Sequence, residues 1–278
     1  MRLSIVIIAG RGGGGQEAAG RQGRAQHGGA AGWQDGTMTL DLKGKTALVT
    51  GGSRGIGLAI VERLLEAGAS VAFCGRDGER VEQALCGLRA RFAGETLKIL
   101  GRAADVRSEA SVRELFEWMD LEMGGPDILV NNAGVGVFQD VAALGPEEWN
   151  LVIETNLGGV YRCSHHAVPR MRARGGGWIV NIGSLAGRNA FAGGAAYNAS
   201  KFGLVGMSEA MMLDHRHEGI RVACILPGSV NTGFRRGEAA EWKMAPEDVA
   251  EAVAAVLAMP ERTLVSLVEM RPSRPPKK

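Results

Sequence analysis

Tyrosine is nearly missing from this chain: Tyr161 and Tyr197 are the only two in 278 residues, and aromatic residues together reach 5%. A residue used so sparingly is worth locating, because Tyr197 is either an ordinary helix residue or is placed where chemistry needs it. Cysteine is also scarce. Cys74, Cys86, Cys163 and Cys224 lie far apart with no C-x-x-C pair, so neither a disulfide framework nor a cysteine zinc site is indicated, and reduced thiols are expected. No apolar run approaches the ~20 residues that cross a bilayer, which excludes a membrane-spanning helix and a membrane partner. Charge of one sign is missing too. Net charge is +2, and residues 1–37 hold four arginines against Glu17 and Asp35, leaving 28 basic and 28 acidic residues in the remainder. A balanced body carries no electrostatic footprint for nucleic acid. Metal patterns are absent as well. His165 and His166 would point ~100° apart on a helix, His215 and His217 diverge similarly, and no carboxylate or cysteine cluster completes a site. The 45% apolar and 22% charged content then describes a soluble globular chain, expected in the cytoplasm.

What the chain does have falls into two parts. Residues 1–37 contain eleven glycines, including the run Gly12 to Gly15; such a segment buries little, and a disordered Gly/Arg-rich extension is expected. Its opening "MRLSIVIIAG" faintly resembles a signal peptide but lacks a full apolar region and a small-residue cleavage site. The single "RGG" at 11–13 and a true start at Met38 are the other readings of this extension. From residue 41 the pattern is regular. Apolar runs at 45–52, 70–75, 96–105, 126–134, 177–184, 220–228 and 263–270 alternate with helical patterns at 57–69, 77–92, 108–123, 146–174, 195–218 and 246–258. Seven strands alternating with six helices predict one α/β domain, residues 38–278, with a doubly wound seven-stranded parallel sheet and helices on both faces. Continuous apolar strands agree with a sheet covered on both sides. No internal repeat and no second domain are visible.

Where the first strand hands over to the first helix stands "TGGSRGIG", residues 50–57. Gly51 and Gly55 permit a tight turn, Gly57 permits close packing of helix on sheet, and the backbone N–H groups at the helix start can face a pyrophosphate. Further along come "DV" at 105–106, "NNAG" at 131–134, "TN" at 155–156, Ser184, "YNASK" at 197–201 and "PGSVNT" at 227–232. In this order and spacing the chain resembles the short-chain dehydrogenase/reductase family, whose glycine motif is T-G-x-x-x-G-x-G, over roughly residues 40 to 270. The resemblance implies a single-domain Rossmann fold and an oxidoreductase that moves hydride between a nicotinamide and a carbonyl or secondary alcohol.

Cofactor choice has its own physical argument. An acidic residue after the second strand would favour NAD(H), but "AFCGRD" offers Arg76 there, with Arg54 in the glycine loop, and guanidinium groups suit a 2′-phosphate. NADP(H) is expected in preference to NAD(H), while Asp77 fits a helix cap. Tyr197 and Lys201 stand four apart, on one helix face. A nearby ammonium, together with the positive nicotinamide of an oxidised cofactor, is expected to lower the phenol's pKa, letting Tyr197 give and take the substrate's proton. Ser184, at a strand's carboxyl end, can hold the substrate oxygen.

The resemblance adds Asn156 to the catalytic set, as the residue that interrupts its helix and holds a water linking the lysine to solvent. It gives Lys201 a bond to the nicotinamide ribose. It implies cofactor contacts from Gly51, Ser53, Arg54, Gly55, Ile56, Gly57, Arg76, Asp105, Val106, Asn132, Ala133, Gly134, Tyr197, Lys201, Pro227, Gly228, Val230 and Thr232, and no metal. Val135, Phe138, Leu185 and Phe191 are the expected apolar lining, with 232–242 as the mobile edge of a shallow pocket. Dimers or tetramers through helices 146–174 and 195–218 are implied. The nearest type resembles a 3-oxoacyl-carrier-protein reductase, except that the ending "VSLVEMRPSRPPKK" lacks its V-D-G-G-like segment and looks more like reductases of 3-hydroxy acids or free small alcohols. Gly183 stands where serine is common. The alternatives are a catalytically silent NADP(H)-binding sensor, an RNA-associated protein acting through residues 1–37, and a sugar-nucleotide epimerase, which would show different glycine spacing and a longer substrate domain.

Overall fold

A computed structural model describes residues 32–34, 37–234 and 239–276. Strands β1 (Gly32–Gln34) and β2 (Thr37–Thr39) pair as a short antiparallel ribbon, two elements absent from the sequence reading. Residues 1–31 lie outside the described residues, and with them the signal-peptide and RGG readings and most of the expected disordered extension.

The main sheet holds β3 (Thr46–Thr50), β4 (Ser70–Gly75), β5 (Ile99–Ala103), β6 (Ile128–Asn131), β7 (Gly177–Ile182), β8 (Ile220–Pro227) and β9 (Leu267–Met270). All neighbours are parallel, in the order β5-β4-β3-β6-β7-β8-β9. Between them run α1 (Gly55–Glu66), α2 (Gly78–Arg91), α3 (Glu109–Met123), α4 (Pro146–Ile153), α5 (Gly159–Ala173), α6 (Ala195–His215) and α7 (Pro246–Leu257). The doubly wound α/β fold read from the alternation is the fold observed. Strand order reverses between β3 and β6, and such a switch point opens a crevice at the strands' carboxyl ends.

The continuous apolar strands serve two cores. Ala47, Val49, Val71, Phe73, Val130, Val180 and Ile225 face a layer made by α1, α2 and α7. Their chain neighbours Leu48, Ala72, Leu129 and Ile179 face Phe116 and Met119 of α3 and Cys163 and Met171 of α5. A period of two thus splits each strand between two layers, and each fully buried large side chain contributes about 1.5–3 kcal/mol. Among the described residues no helix is long and apolar enough to cross a membrane.

Helix ends follow local chemistry. Asp77 caps α2 by accepting from the Arg80 amide at 3.1 Å, as its position suggested, and Ser108 caps α3 through the Ser111 amide. The helix expected as one piece over 146–174 is interrupted by a π-turn at Glu154–Gly158. The arginines of 170–174 are not free charges: Arg170 binds Asp120, Arg172 binds Glu218 and Arg174 binds Asp127.

Candidate active site

The crevice begins with the loop between β3 and α1. Gly51 and Gly55 sit at φ +65° and +54°, a left-handed region that glycine enters without steric penalty. A Cβ on Gly57 would lie 2.1 Å from the Gly51 carbonyl oxygen, so no other residue lets α1 start so close to the sheet. Asn132 fixes the loop from the β6 side. Its Nδ2 donates to the Thr50 and Gly51 carbonyls at 3.0 Å each, and the Thr50 hydroxyl accepts from the Asn132 and Ala133 amides. Asn132 and Ala133 therefore shape the cradle, with the Asn132 amide group spent on the loop.

The other expected cofactor residues divide by where their side chains go. Ser53 stands beside Gly75, and Thr232 faces Gly55 across the crevice. Arg54 and Arg76 are exposed and make no ion pair among the described residues, which leaves both guanidiniums available to a phosphate. Ile56 is half-buried and packs against the core below, and Val106 is 5% exposed, wedged against Gly159, so Val106 can offer only backbone. Asp105 is held by Arg107, whose Nε reaches both its oxygens at 3.0 Å. That hydrogen bond keeps its carboxyl below the ordinary carboxylate pKa. Gly134 lies against the Asn156 side chain. Pro227 ends β8, the Gly228 amide donates to the Met270 carbonyl, and Val230 bridges to Met244. Glycines that tolerate no Cβ, free amides at a helix start and two unpaired arginines fit a dinucleotide with a 2′-phosphate.

Across the crevice β7 ends at Ile182, and Ser184 caps a single 3-10 turn by accepting from the Ala186 amide at 3.1 Å. Tyr197 stands in the first turn of α6, with its phenol near enough to Ser184 to feel that hydroxyl. Asn198 pins the approach to that helix, with Nδ2 donating to the Ala186 carbonyl at 2.7 Å and Oδ1 accepting from the Phe191 amide. Lys201, 5% exposed, donates from Nζ to the Ile182 carbonyl at 2.9 Å and lies 5.8 Å from the centre of the Tyr197 ring. Ser184, Tyr197 and Lys201 are thus brought together.

The chain by itself does not supply that lowering. Burial raises the Tyr197 phenol above its usual pKa, the Ser184 hydroxyl only partly opposing it. Burial pushes the Lys201 ammonium down to about 8. Desolvation disfavours both charged forms, so the lysine of this chain by itself does not lower the tyrosine. A lowered phenol needs a further positive charge brought into the crevice.

Asn156 occupies the π-turn with no exposure. Its Oδ1 accepts from the Val135 amide at 2.8 Å, and Nδ2 donates to the Val135 carbonyl and to the Ser200 hydroxyl at 2.9 and 3.0 Å. With both amide hydrogens taken, the side chain clamps the loop after β6 to α6 beside Lys201. Below these groups runs a buried polar seam. Asn131 donates to Ser164 and to Asn181, and Asn181 donates to Ser208.

Of the expected lining residues, Leu185 faces Gly228, while Phe138 and Phe191 contact the Tyr197 ring. Phe234 joins them; of the stretch 232–242, positions 235–238 lie outside the described residues. In the sequence Phe234 stands at the start of a charged stretch, outside every matched motif. A separate open groove of about 420 Å³ lies among Asp105, Arg107, Glu147 and Glu154 and is lined by none of the four catalytic candidates.

Comparisons agree with this geometry. The family model for short chain dehydrogenase matches residues 45–243. The 3-oxoacyl-[acyl-carrier-protein] reductase of Vibrio cholerae is 34% identical over 239 residues, 82% of this chain and 95% of the relative. A 3alpha-hydroxysteroid dehydrogenase of Mediterraneibacter gnavus is 35% identical over 195 residues, 70% of this chain and 77% of the relative. Among solved structures, a metagenomic short-chain oxidoreductase in complex with NADP superposes with TM-score 0.74 at 34% identity, covering 84% of this chain and 99% of that one.

Proposed function

The chain belongs to the short-chain dehydrogenase family, and from that premise we propose that it is an NADP(H)-dependent carbonyl reductase/alcohol dehydrogenase using Tyr197 as general acid and base. The observation that carries the reading is Ser184, Tyr197 and Lys201 in mutual reach on the crevice wall opposite the glycine loop. The bound nicotinamide supplies hydride in reduction and accepts it in oxidation. Ser184 holds the substrate oxygen, and Tyr197 delivers a proton to that oxygen. A phenol whose pKa burial raises stays protonated through neutral pH, which suits donation to a carbonyl. Lys201 and the Asn156 clamp keep α6 and the loop after β6 in place around the reacting atoms. Arg54 and Arg76 bind the 2′-phosphate and give the preference over NAD(H).

Both a 3-oxoacyl reductase and a hydroxysteroid dehydrogenase stand among the relatives, which supports a secondary alcohol/ketone pair as substrate class. Exposed Trp149 on α4, Tyr161 on α5, and Phe202 and Leu213 on α6 support pairing of copies through these helices, as a dimer or tetramer. Four unpaired cysteines, three of them buried, support a reducing, cytoplasmic setting. The test is NADPH oxidation against ketones, 3-oxoacyl thioesters and quinones, with Tyr197→Phe as control. The variant should lose at least ~100-fold in kcat with NADPH binding intact; full activity in it sinks the mechanism.

A further inference from the structure

Aromatic residues are few in this chain, yet three phenylalanine rings converge on the ring of Tyr197. Phe138 lies 5.5 Å from the Tyr197 ring, Phe234 5.8 Å and Phe191 6.5 Å, while Phe138 and Phe191 are 5.9 Å apart. They arrive from three loops, after β6, before α6 and after β8. Two glycines make room for them. A Cβ on Gly136 would stand 2.7 Å from the Phe138 ring and 3.0 Å from that of Phe234, and one on Gly194 would stand 2.7 Å from Phe191.

Two further observations say what the rings are for. Phe191 and Phe234 remain 38% and 42% exposed, so large apolar faces beside the Tyr197 ring are open to a ligand. The neighbouring polar side chains are engaged elsewhere: Gln139 donates to Glu148, Asp140 accepts from the Ala142 amide, and Arg188 is turned to Glu269. Among the described residues, recognition next to Tyr197 is thereby left mainly to rings. They meet at 45° to 63°, presenting edges and faces in turn, a surface on which a substrate ring finds favourable edge-to-face partners and an alkyl chain gains only contact area.

We propose that Phe138, Phe191 and Phe234 make this site selective for carbonyl compounds bearing a flat apolar ring beside the reacting carbon. This rests on the reductase reading, and it assigns the specificity to positions that perform no proton transfer. Each ring–ring contact is worth about two- to tenfold in binding beyond area.

The test uses three ketones of equal carbon count, acetophenone, cyclohexyl methyl ketone and 2-octanone, with NADPH and the full chain. Intrinsic reactivity cancels when the ratio of kcat/KM for acetophenone to that for 2-octanone is compared between wild type and Phe191→Leu or Phe234→Leu. Each substitution should lower that ratio about three- to tenfold, mainly through KM for acetophenone, with NADPH binding unchanged as the folding control. Titration calorimetry of 1-phenylethanol and 2-octanol into the enzyme–NADPH complex, a pair between which no hydride can pass, reads the same discrimination without turnover. Equal losses on all three ketones, or no aryl preference in rate and binding, overturns the selectivity. Aryl preference in binding with no turnover of any carbonyl supports the selectivity and counts against the reductase reading alone.

Discussion

The two walls of the crevice are made of different material. On the side of β3 and α1 the surface is backbone: Gly51, Gly55 and Gly57 contribute no side chain, and the shape depends on two positive φ angles and a 2.1 Å approach that excludes a Cβ. On the side of β7 and α6 it is side chain: Ser184, Tyr197, Lys201 and Asn156 act through atoms placed by hydrogen bonds and burial. A backbone wall tolerates no substitution yet asks little of its neighbours. A side-chain wall tolerates replacement sterically, but its chemistry depends on what surrounds each group, as the opposed shifts of Tyr197 and Lys201 show.

Gly57→Ala breaks the backbone wall directly. The new methyl meets a main-chain oxygen, the loop must move by about an ångström, and displacement of that size weakens a positioned site by ~100-fold or more. Fluorescence titration should show NADPH affinity falling by at least that factor, with Ser184, Tyr197 and Lys201 untouched. Arg76→Asp tests the charge at the rim of the same wall. Losing a charge-assisted bond of about 1.5–3 kcal/mol should weaken NADPH roughly 10- to 150-fold while NADH changes little; unchanged NADPH affinity would remove the 2′-phosphate assignment.

On the side-chain wall the expected effect is smaller and of opposite sign for stability. Lys201 has a folded pKa of about 8 against 10.5 in the unfolded chain. Below pH 8 both states carry the proton and the fold bears the full penalty of a buried ammonium, about 3 kcal/mol. Between pH 8 and 10.5 the unfolded state binds more protons, so stability rises with pH as the penalty is relieved. Lys201→Met should therefore stabilise the cofactor-free protein by about 2 kcal/mol at pH 7, after ~1 kcal/mol lost at the orphaned Ile182 carbonyl. The gain should fade above pH 8 in thermal melts, while activity collapses. A gain independent of pH would show that the ammonium is not the cause. Gly183→Ser is the mildest probe. Its Cβ would meet Leu226 Cδ2 at 2.4 Å, the movable end of a side chain, so denaturation should register about 1 kcal/mol and kcat should stay within about threefold.

The same contrast explains what could be read from the chain. The seven strands, the glycine loop and the cap at Asp77 were legible because they follow from periodicity, backbone sterics and local hydrogen bonding. Ser184, Tyr197 and Lys201 could be paired by spacing and family resemblance, but the direction of the tyrosine's shift could not. It depends on burial by loops distant in sequence. Val106 and Ile56 sit in a matching motif yet turn their side chains inward, because motif position does not say which way a side chain faces. Phe234 reaches Tyr197 only through the return of the chain after β8, and no local signal marks that contact.

The buried seam has a consequence beyond holding helices to the sheet. Strands β6, β7 and β8 are apolar on both faces, so hydrophobic alternation gives no reason to prefer one alignment over another two residues away. Asn131 lies directly opposite Asn181, and Asn181 opposite Cys224. Sliding any of these strands by two positions would leave its central apolar side chains on the same faces and strand the amides, at about 1–3 kcal/mol for each orphaned group. The asparagines therefore act as index marks. They fix how far each strand projects at its carboxyl end, and so set the level at which Ser184 meets Tyr197.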